Sequence, residues 1–413
     1  MKADNKPHRE WRAIGCVVGL AVAASAGLYA LLPPSLILPA GAVVVGTVTA
    51  IILVRVGWWR WRTALVTLSI VAATLLAVCL VMTRPAAAGT VGASPPFPEI
   101  DAYLKDQGFS GAVLIARDGQ VLFDKGYGYA DRNRMVPNTP QTRFPIGSVT
   151  KQFTAMAILM LQEQGRLNLQ DHVCQYVADC PAAWREIALY HLLTNSSGIP
   201  DFFVPCFSDP QDVEDAIAGV KGQPLQFQPG EKYGYSNAGY YMLGEVIEEV
   251  SGQPYGAFMQ QAVLGPLGMK DTGSEGRSRQ AVGYVSAFLR ACSFDISALS
   301  SEGGLVSTVE DLYRWDQALY TERLIPQELL DEMFTAHIPT PEKLGTSELG
   351  YGYGWAVGSW AGHRMQMHGG FIFGFKSMIA RFPDDRLTVI VLSNQQNYAG
   401  GSVSIGVLQE ILE

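Results

Sequence analysis

Along the first 84 residues the apolar positions form long unbroken runs; from residue 99 onward they alternate or recur at helical spacing. Three runs, 13–32, 36–54 and 64–82, are each about 19–20 residues long, enough to cross a hydrocarbon core of about 30 Å. Pro33 and Pro34 separate the first two as in a helical hairpin, and "RVGWWRWR" (55–62) separates the second from the third. The pattern predicts a membrane region over 1–84 with three transmembrane helices. "PAAAGTVGASPPFP" (85–98) reads as a semi-stiff linker, and a folded domain is expected over 99–413, with no internal repeat.

That domain opens with two strand-like runs around Asp118-Gly119, a hairpin signal. Its middle is helical. "VTKQFTAMAILMLQEQGRL" is stopped by Gly165, and "NAGYYMLGEVIEEVSG" carries Tyr240, Leu243, Val246, Ile247 and Val250 on one face, with Gly252 as its stop. Strand patterns return in "GYGYGWAVGSW" (350–360), "HRMQMHGG", "FGFKSMIARF" and "RLTVIVLSN", with Pro383-Asp384-Asp385 as a turn and a short helix from about Gly401. Strands, helices, strands, helix is an α/β order of the α+β kind. One antiparallel sheet joins the first and last strands, a helical lobe is inserted between them, and the cleft between lobe and sheet is the natural site.

Charge sharpens the division. The formal net charge is −8, but residues 1–94 hold eight Lys/Arg against two acids and residues 95–413 hold 22 against 36. Lys2, Lys6, Arg9 and Arg12 should keep the N-terminus inside, and the uncharged Pro33–Ser35 turn should lie outside. Arg55, Arg60 and Arg62 return inside. Arg84 is the one basic residue close after the third span, so residues 85–413 should leave on the far side. A cleaved signal peptide has one short apolar region, not three. The acidic body argues against nucleic acid as a partner. Cys174, Cys180, Cys206 and Cys292 fall in the exported part, where disulfides persist. Cys174 and Cys180 flank a predicted turn and could pair locally, and no histidine at ligand spacing supports zinc there.

Three stretches carry candidate chemistry. Ser148 and Lys151, at i and i+3 near a helix start, lie on one face, and a serine hydroxyl needs a neighbouring base to become a nucleophile. Lys151 would need a lowered pKa or a second base, and the apolar "FTAMAILMLQ" behind it would supply desolvation. Tyr235 is the second base candidate, or a packed aromatic. Asn237 could cap the helix beginning there. His368-Gly369-Gly370 looks like a strand that a ligand backbone can approach closely, or a loose strand end with an exposed histidine.

In this order the stretches resemble the β-lactamase-related serine hydrolases, the group of class C β-lactamases, DD-peptidases and related esterases. Ser148-Val149-Thr150-Lys151 matches Ser-x-x-Lys, Tyr235-Ser236-Asn237 matches Tyr-x-Asn, and His368-Gly369-Gly370 stands where the family has Lys-Thr-Gly or His-x-Gly. "LLTNSSGIPDF", "PGEKYGYSNAGY" and "GGLVSTVEDLYRW" (303–315) support the match, which covers nearly all of 97–413. The resemblance implies the serine β-lactamase/DD-peptidase fold, a Ser148 acyl-enzyme, and Lys151 and Tyr235 sharing the proton work. It further implies His368 as a fourth catalytic residue, Asn237, Gly370 and Phe371 as substrate-binding residues with Asn237 on the substrate amide, and the backbone N–H groups of Ser148 and Phe371 as oxyanion hole. It calls for no cofactor and no metal.

Two departures stand out. His368 replaces the lysine that class C enzymes use near the substrate carboxylate, which weakens the case for β-lactam hydrolysis, and Asn195 replaces a histidine at a position read as structural. His191 reads as a packed residue. The expected protein is a membrane-anchored hydrolase of a bacterial inner membrane, its domain periplasmic or extracellular, acting on a small-molecule or peptide ester, amide or D-amino-acid peptide. A true class C-like β-lactamase and a non-catalytic sensor or scaffold are the alternatives.

Overall fold

Asp118 and Gly119 both take positive φ, 52° and 77°, as a two-residue hairpin turn requires, and they join β1 (Gly111–Arg117) to β2 (Gln120–Tyr127). The structure is a computed structural model that describes residues 97–202, 210–274, 280–286, 289–292, 295–344, 347–396 and 400–412. The three expected spans and all but the last two residues of the expected linker lie outside the described residues. Among the described residues, no helix is long and apolar enough to cross a membrane.

The C-terminal strands are β3 (Ile338–Leu344), β4 (Ser347–Tyr351), β5 (Ala356–Trp360), β6 (His363–Ile372), β7 (Phe375–Phe382) and β8 (Leu387–Ser393). They complete an eight-stranded antiparallel sheet in the order β2-β1-β8-β7-β6-β5-β4-β3. The expected union of first and last strands is the β1–β8 ladder, running from Gly111 opposite Ser393 to Arg117 opposite Leu387. Two details differ from expectation. The predicted strand 350–360 is two strands, because Gly354 turns the chain at φ 77°. The edge strand β3 was hidden by Pro339 and Pro341, residues a sheet tolerates at its edge and not in its interior.

Both faces of the sheet are covered, which is why its central strands read as continuous apolar runs. Val113, Ile115, Val389 and Val391 pack on one face with Ile100 and Leu104 of α1 (Pro98–Asp106) and with Val407 and Leu408 of the C-terminal helix Gly400–Leu412. Ala112, Leu114, Ile390 and Leu392 point to the other face, where α2 (Thr150–Glu163) lies. Every residue of α2 from Thr150 to Leu159 is buried, the environment of a central helix enclosed on all sides. The helical lobe adds α3 (Asn237–Ser251), whose Tyr240, Leu243, Val246 and Ile247 are buried as expected, and α4 (Val309–Ala318). Gly252 ends α3 in the left-handed region. Its N-cap is Ser236, whose hydroxyl accepts from the Gly239 N–H, and Asn237 is the first helical residue instead of the cap. Cys174 and Cys180 form a disulfide with Cα atoms 5.3 Å apart.

Candidate active site

Ser148 lies half-buried in a single 3-10 turn, Gly147–Val149, that feeds directly into α2. Lys151 therefore sits in the first turn of an enclosed helix, with its side chain fully buried. Its ammonium nitrogen is 3.4 Å from Ser148 Oγ and donates at 2.7 Å to both Asn237 Oδ1 and the Glu302 carbonyl. The Glu302 carboxylate stands 3.4 Å away, and the nitrogen is 4.9 Å from the centre of the Tyr235 ring. Burial alone would push Lys151 down, as the sequence reading anticipated. Tyr235, Glu302 and Asp201 together outweigh it, so Lys151 is held above the usual lysine range. Of the two routes left open by the sequence, a lowered lysine pKa or a second base, this environment favours the second.

Asn195 threads the Tyr235 segment into place. It adopts φ 54°, a left-handed conformation that asparagine tolerates, accepts from the Gly234 N–H on its carbonyl and from the Ser236 N–H on its side chain. Its structural role agrees with the sequence reading. Asp201, on the exposed side, accepts from both the backbone and side-chain nitrogens of Asn237. His191 is buried and caps its own short helix, accepting from the Ala188 N–H.

β5 pairs with β6 only over His363–Met367, so the rest of that β6 edge is free to meet the Ser148 turn. A Cβ at Gly370 would lie 2.0 Å from the Ile146 carbonyl oxygen and 2.4 Å from Ser377 Oγ, which itself donates to that carbonyl. Gly147, at φ 50°, lies against the Phe371 backbone, with 3.0 Å from its would-be Cβ to the Phe371 nitrogen. Two glycines thus bring the backbones carrying Ser148 and Phe371 together, while the Phe371 side chain stays 55% exposed.

His368 is neither a loose strand end nor exposed. It is buried, with Nδ1 2.6 Å from its neighbour's carbonyl at Gly369 and Nε2 2.9 Å from the Tyr351 hydroxyl. The carbonyl can only accept, so Nδ1 carries the proton and Nε2 accepts from Tyr351. Burial first, then the Lys151 charge, lowers its pKa to about 4. Its ring centre lies 6.5 Å from that of Tyr235.

The structure thus gathers Ser148, Lys151, Tyr235, Asn237, His368, Gly370 and Phe371 at one place. The sequence reading missed Glu302 and Asp201. Asp201 lies within the quoted "LLTNSSGIPDF", and Glu302 stands one residue before "GGLVSTVEDLYRW".

A serine hydroxyl beside a buried ammonium and a tyrosine, between a helical lobe and an antiparallel sheet, defines the class: a serine hydrolase. The Beta-lactamase family profile matches residues 99–407. PbpX of Bacillus subtilis (strain 168), named as a penicillin-binding protein, is 34% identical over 308 residues, 73% of this chain and 74% of its own. The D-aminopeptidase of Gluconobacter oxydans is 27% identical over 315 residues, 71% of this chain and 57% of its own. Among solved structures, the octameric penicillin-binding protein homologue from Pyrococcus abyssi superposes with a TM-score of 0.69 at 28% identity, covering 76% of this chain and 77% of that one. The chain belongs to the β-lactamase family, among the relatives of penicillin-binding proteins.

Proposed function

We propose that this serine hydrolase works through a Ser148 acyl-enzyme on an ester, amide or D-amino-acid peptide, anchored in a membrane by residues 1–84. The observation that carries the catalytic half is the convergence of Ser148, Asn237, Glu302 and Tyr235 on the one buried nitrogen of Lys151. With Lys151 an ammonium, the remaining acceptor for the Ser148 proton is the Tyr235 oxygen, whose ring stands beside that cation. Ser148 Oγ bonds to the carbonyl carbon while its proton passes to the Tyr235 oxygen, and the C=O π pair moves onto the carbonyl oxygen. The backbone N–H groups of Ser148 and Phe371 receive that oxyanion. Collapse expels the alcohol or amine, which takes the proton back from Tyr235. Water then repeats the sequence on the acyl-serine, with Tyr235 again accepting its proton, and frees the acid.

A neutral, buried His368 supplies no cation for a substrate carboxylate, which favours substrates whose binding does not hinge on one and disfavours efficient β-lactam turnover. The D-aminopeptidase relative supports amide or D-peptide chemistry, and cell-wall peptides fit it. The three apolar runs and their flanking charges support anchoring with the catalytic domain outside the cytoplasm, and the Cys174–Cys180 disulfide suits such a compartment. A fluorophosphonate and a penicillin should each label the wild-type chain once and leave Ser148→Ala unlabelled. In a panel of nitrocefin, short-chain p-nitrophenyl esters and D-Ala-D-Ala peptides, an ester or peptide should turn over faster than nitrocefin. A folded wild-type chain that no acylating probe labels would sink this reading.

A further inference from the structure

Glu302 takes no part in the acyl-transfer steps above, yet it is 6% exposed and holds Lys151 by two groups. Its backbone carbonyl accepts at 2.7 Å and its carboxylate lies 3.4 Å from the same nitrogen. We infer that Glu302 is a positioning residue for the reaction above, pinning Lys151 as a fixed ammonium beside Ser148 and Tyr235. The inference rests on the Ser148 acyl-enzyme reading.

The valences of the nitrogen carry the argument. Asn237 Oδ1 and the Glu302 carbonyl can only accept, so two of the three positions on the Lys151 nitrogen must be N–H bonds aimed at them. The third faces Ser148, Tyr235 and the Glu302 carboxylate. A lone pair there would make Lys151 the base; a proton makes it an ammonium. The groups facing Lys151 decide between these. Tyr235, Asn237 and Tyr240 come from α3 and the loop before it, Asp201 from the loop bonded to Asn237, His368 from β6 and Glu302 from the turn Ser300–Gly303. His368 is neutral. Asp201 is exposed and occupied with Asn237. Glu302 is the buried carboxylate in contact, and a fully buried ammonium is costly without such a partner. The direction of the Lys151 pKa agrees: burial pushes it down and Tyr235 and Glu302 carry it back above the ordinary value. Burial pushes the Glu302 carboxyl up and Lys151 opposes this only in part, so Glu302 takes a proton more readily than an exposed glutamate.

The test is the rate of fluorophosphonate labelling of the full chain as a function of pH, for wild type and Glu302→Gln. Glutamine keeps the volume and an acceptor oxygen and removes the charge. If Lys151 must be protonated, labelling falls at alkaline pH as its proton is lost, and the variant should move that alkaline limb to lower pH by about one unit or more. A merely structural Glu302 would scale the rate at every pH and leave the limb in place. An unmoved alkaline limb overturns the inference, and so does movement of the acid limb alone, the signature of Lys151 as base. If Glu302→Gln does not fold, nitrogen NMR of wild-type Lys151, assigned through Lys151→Arg, decides instead. Its ammonium should persist across the whole range over which labelling rises with pH, and deprotonation along that rise overturns the inference. Loss of the acyl-enzyme reading is separable, because it appears as unchanged labelling in Ser148→Ala.

Discussion

A methyl group at position 370 would have nowhere to go. It would meet the Ile146 carbonyl oxygen at 2.0 Å, a backbone atom that no rotamer change can move. Gly370→Ala must therefore push β6 away from the Ser148 turn, and with it Phe371 away from Ser148. Misplacement by about 1 Å can cost on the order of 100-fold in rate, so fluorophosphonate labelling of the variant should fall by about that factor, and wild-type labelling would contradict the fit. His368 makes a prediction of the opposite kind, in stability. Its pKa falls from 6.5 to about 4 on folding, so between these values the unfolded chain binds more protons and stability rises with pH. The contribution is complete above about pH 6.5 and lost as pH falls through about 4, amounting to about 3 kcal/mol at most. Denaturant unfolding at several pH values should show a shallower loss for His368→Gln than for wild type across that window; equal slopes would refute the neutral buried imidazole. Ser148, Lys151 and Tyr235 were legible because their chemistry rides on local spacing. Glu302 was not, since nothing near it in the chain says that its turn folds onto the first turn of α2.

At the scale of elements, the sequence periodicities located α2, α3 and the central strands, because burial on one face or on both leaves a regular trace. They failed where another constraint replaced burial: the prolines of edge strand β3, and the capping of α3 by Ser236 in place of Asn237. They were also silent on what ties α4 to the sheet. Arg381 of β7 bonds Asp316 of α4 at 2.9 Å, and Thr388 of β8 donates to the other Asp316 oxygen at 2.6 Å. Gln366 of β6 accepts from Arg381, which also lies 4.3 Å from the centre of the Tyr320 ring. Arg381 and Asp316 are 1% and 0% exposed, so removing one partner strands a buried charge, a loss of about 3–5 kcal/mol. Asp316→Ala should lower the unfolding free energy by that amount. A Leu–Met replacement of the pair should recover much of it, since well-packed apolar side chains can replace buried ion pairs at little cost. A stability loss under about 1 kcal/mol for Asp316→Ala would mean that α4 is held mainly by its apolar face.

For the whole molecule the charge asymmetry is the main clue to where the enzyme works. Residues 1–94 carry eight basic residues against two acidic ones, while residues 95–413 carry 22 against 36. An acidic catalytic domain has no electrostatic pull toward an anionic membrane surface, so any firm attachment must come from residues 1–94, through their apolar runs or their basic residues, and salt separates the two. Salt and buffer would strip a charge-bound protein from membranes, because exposed ion pairs are screened within about 10 Å at moderate ionic strength. Spans of about 20 apolar residues would not respond. The full chain expressed in a bacterial cell should therefore stay in the membrane pellet through high salt and alkaline carbonate and leave it only with detergent. The charge bias further predicts that protease added to intact spheroplasts removes the catalytic domain, together with its fluorophosphonate-labelling activity, while the N-terminus stays protected. Release by salt would refute the spans. Retention combined with a protease-resistant domain would instead keep the spans and invert the orientation, placing the Cys174–Cys180 disulfide on the reducing side, where it is not expected to persist.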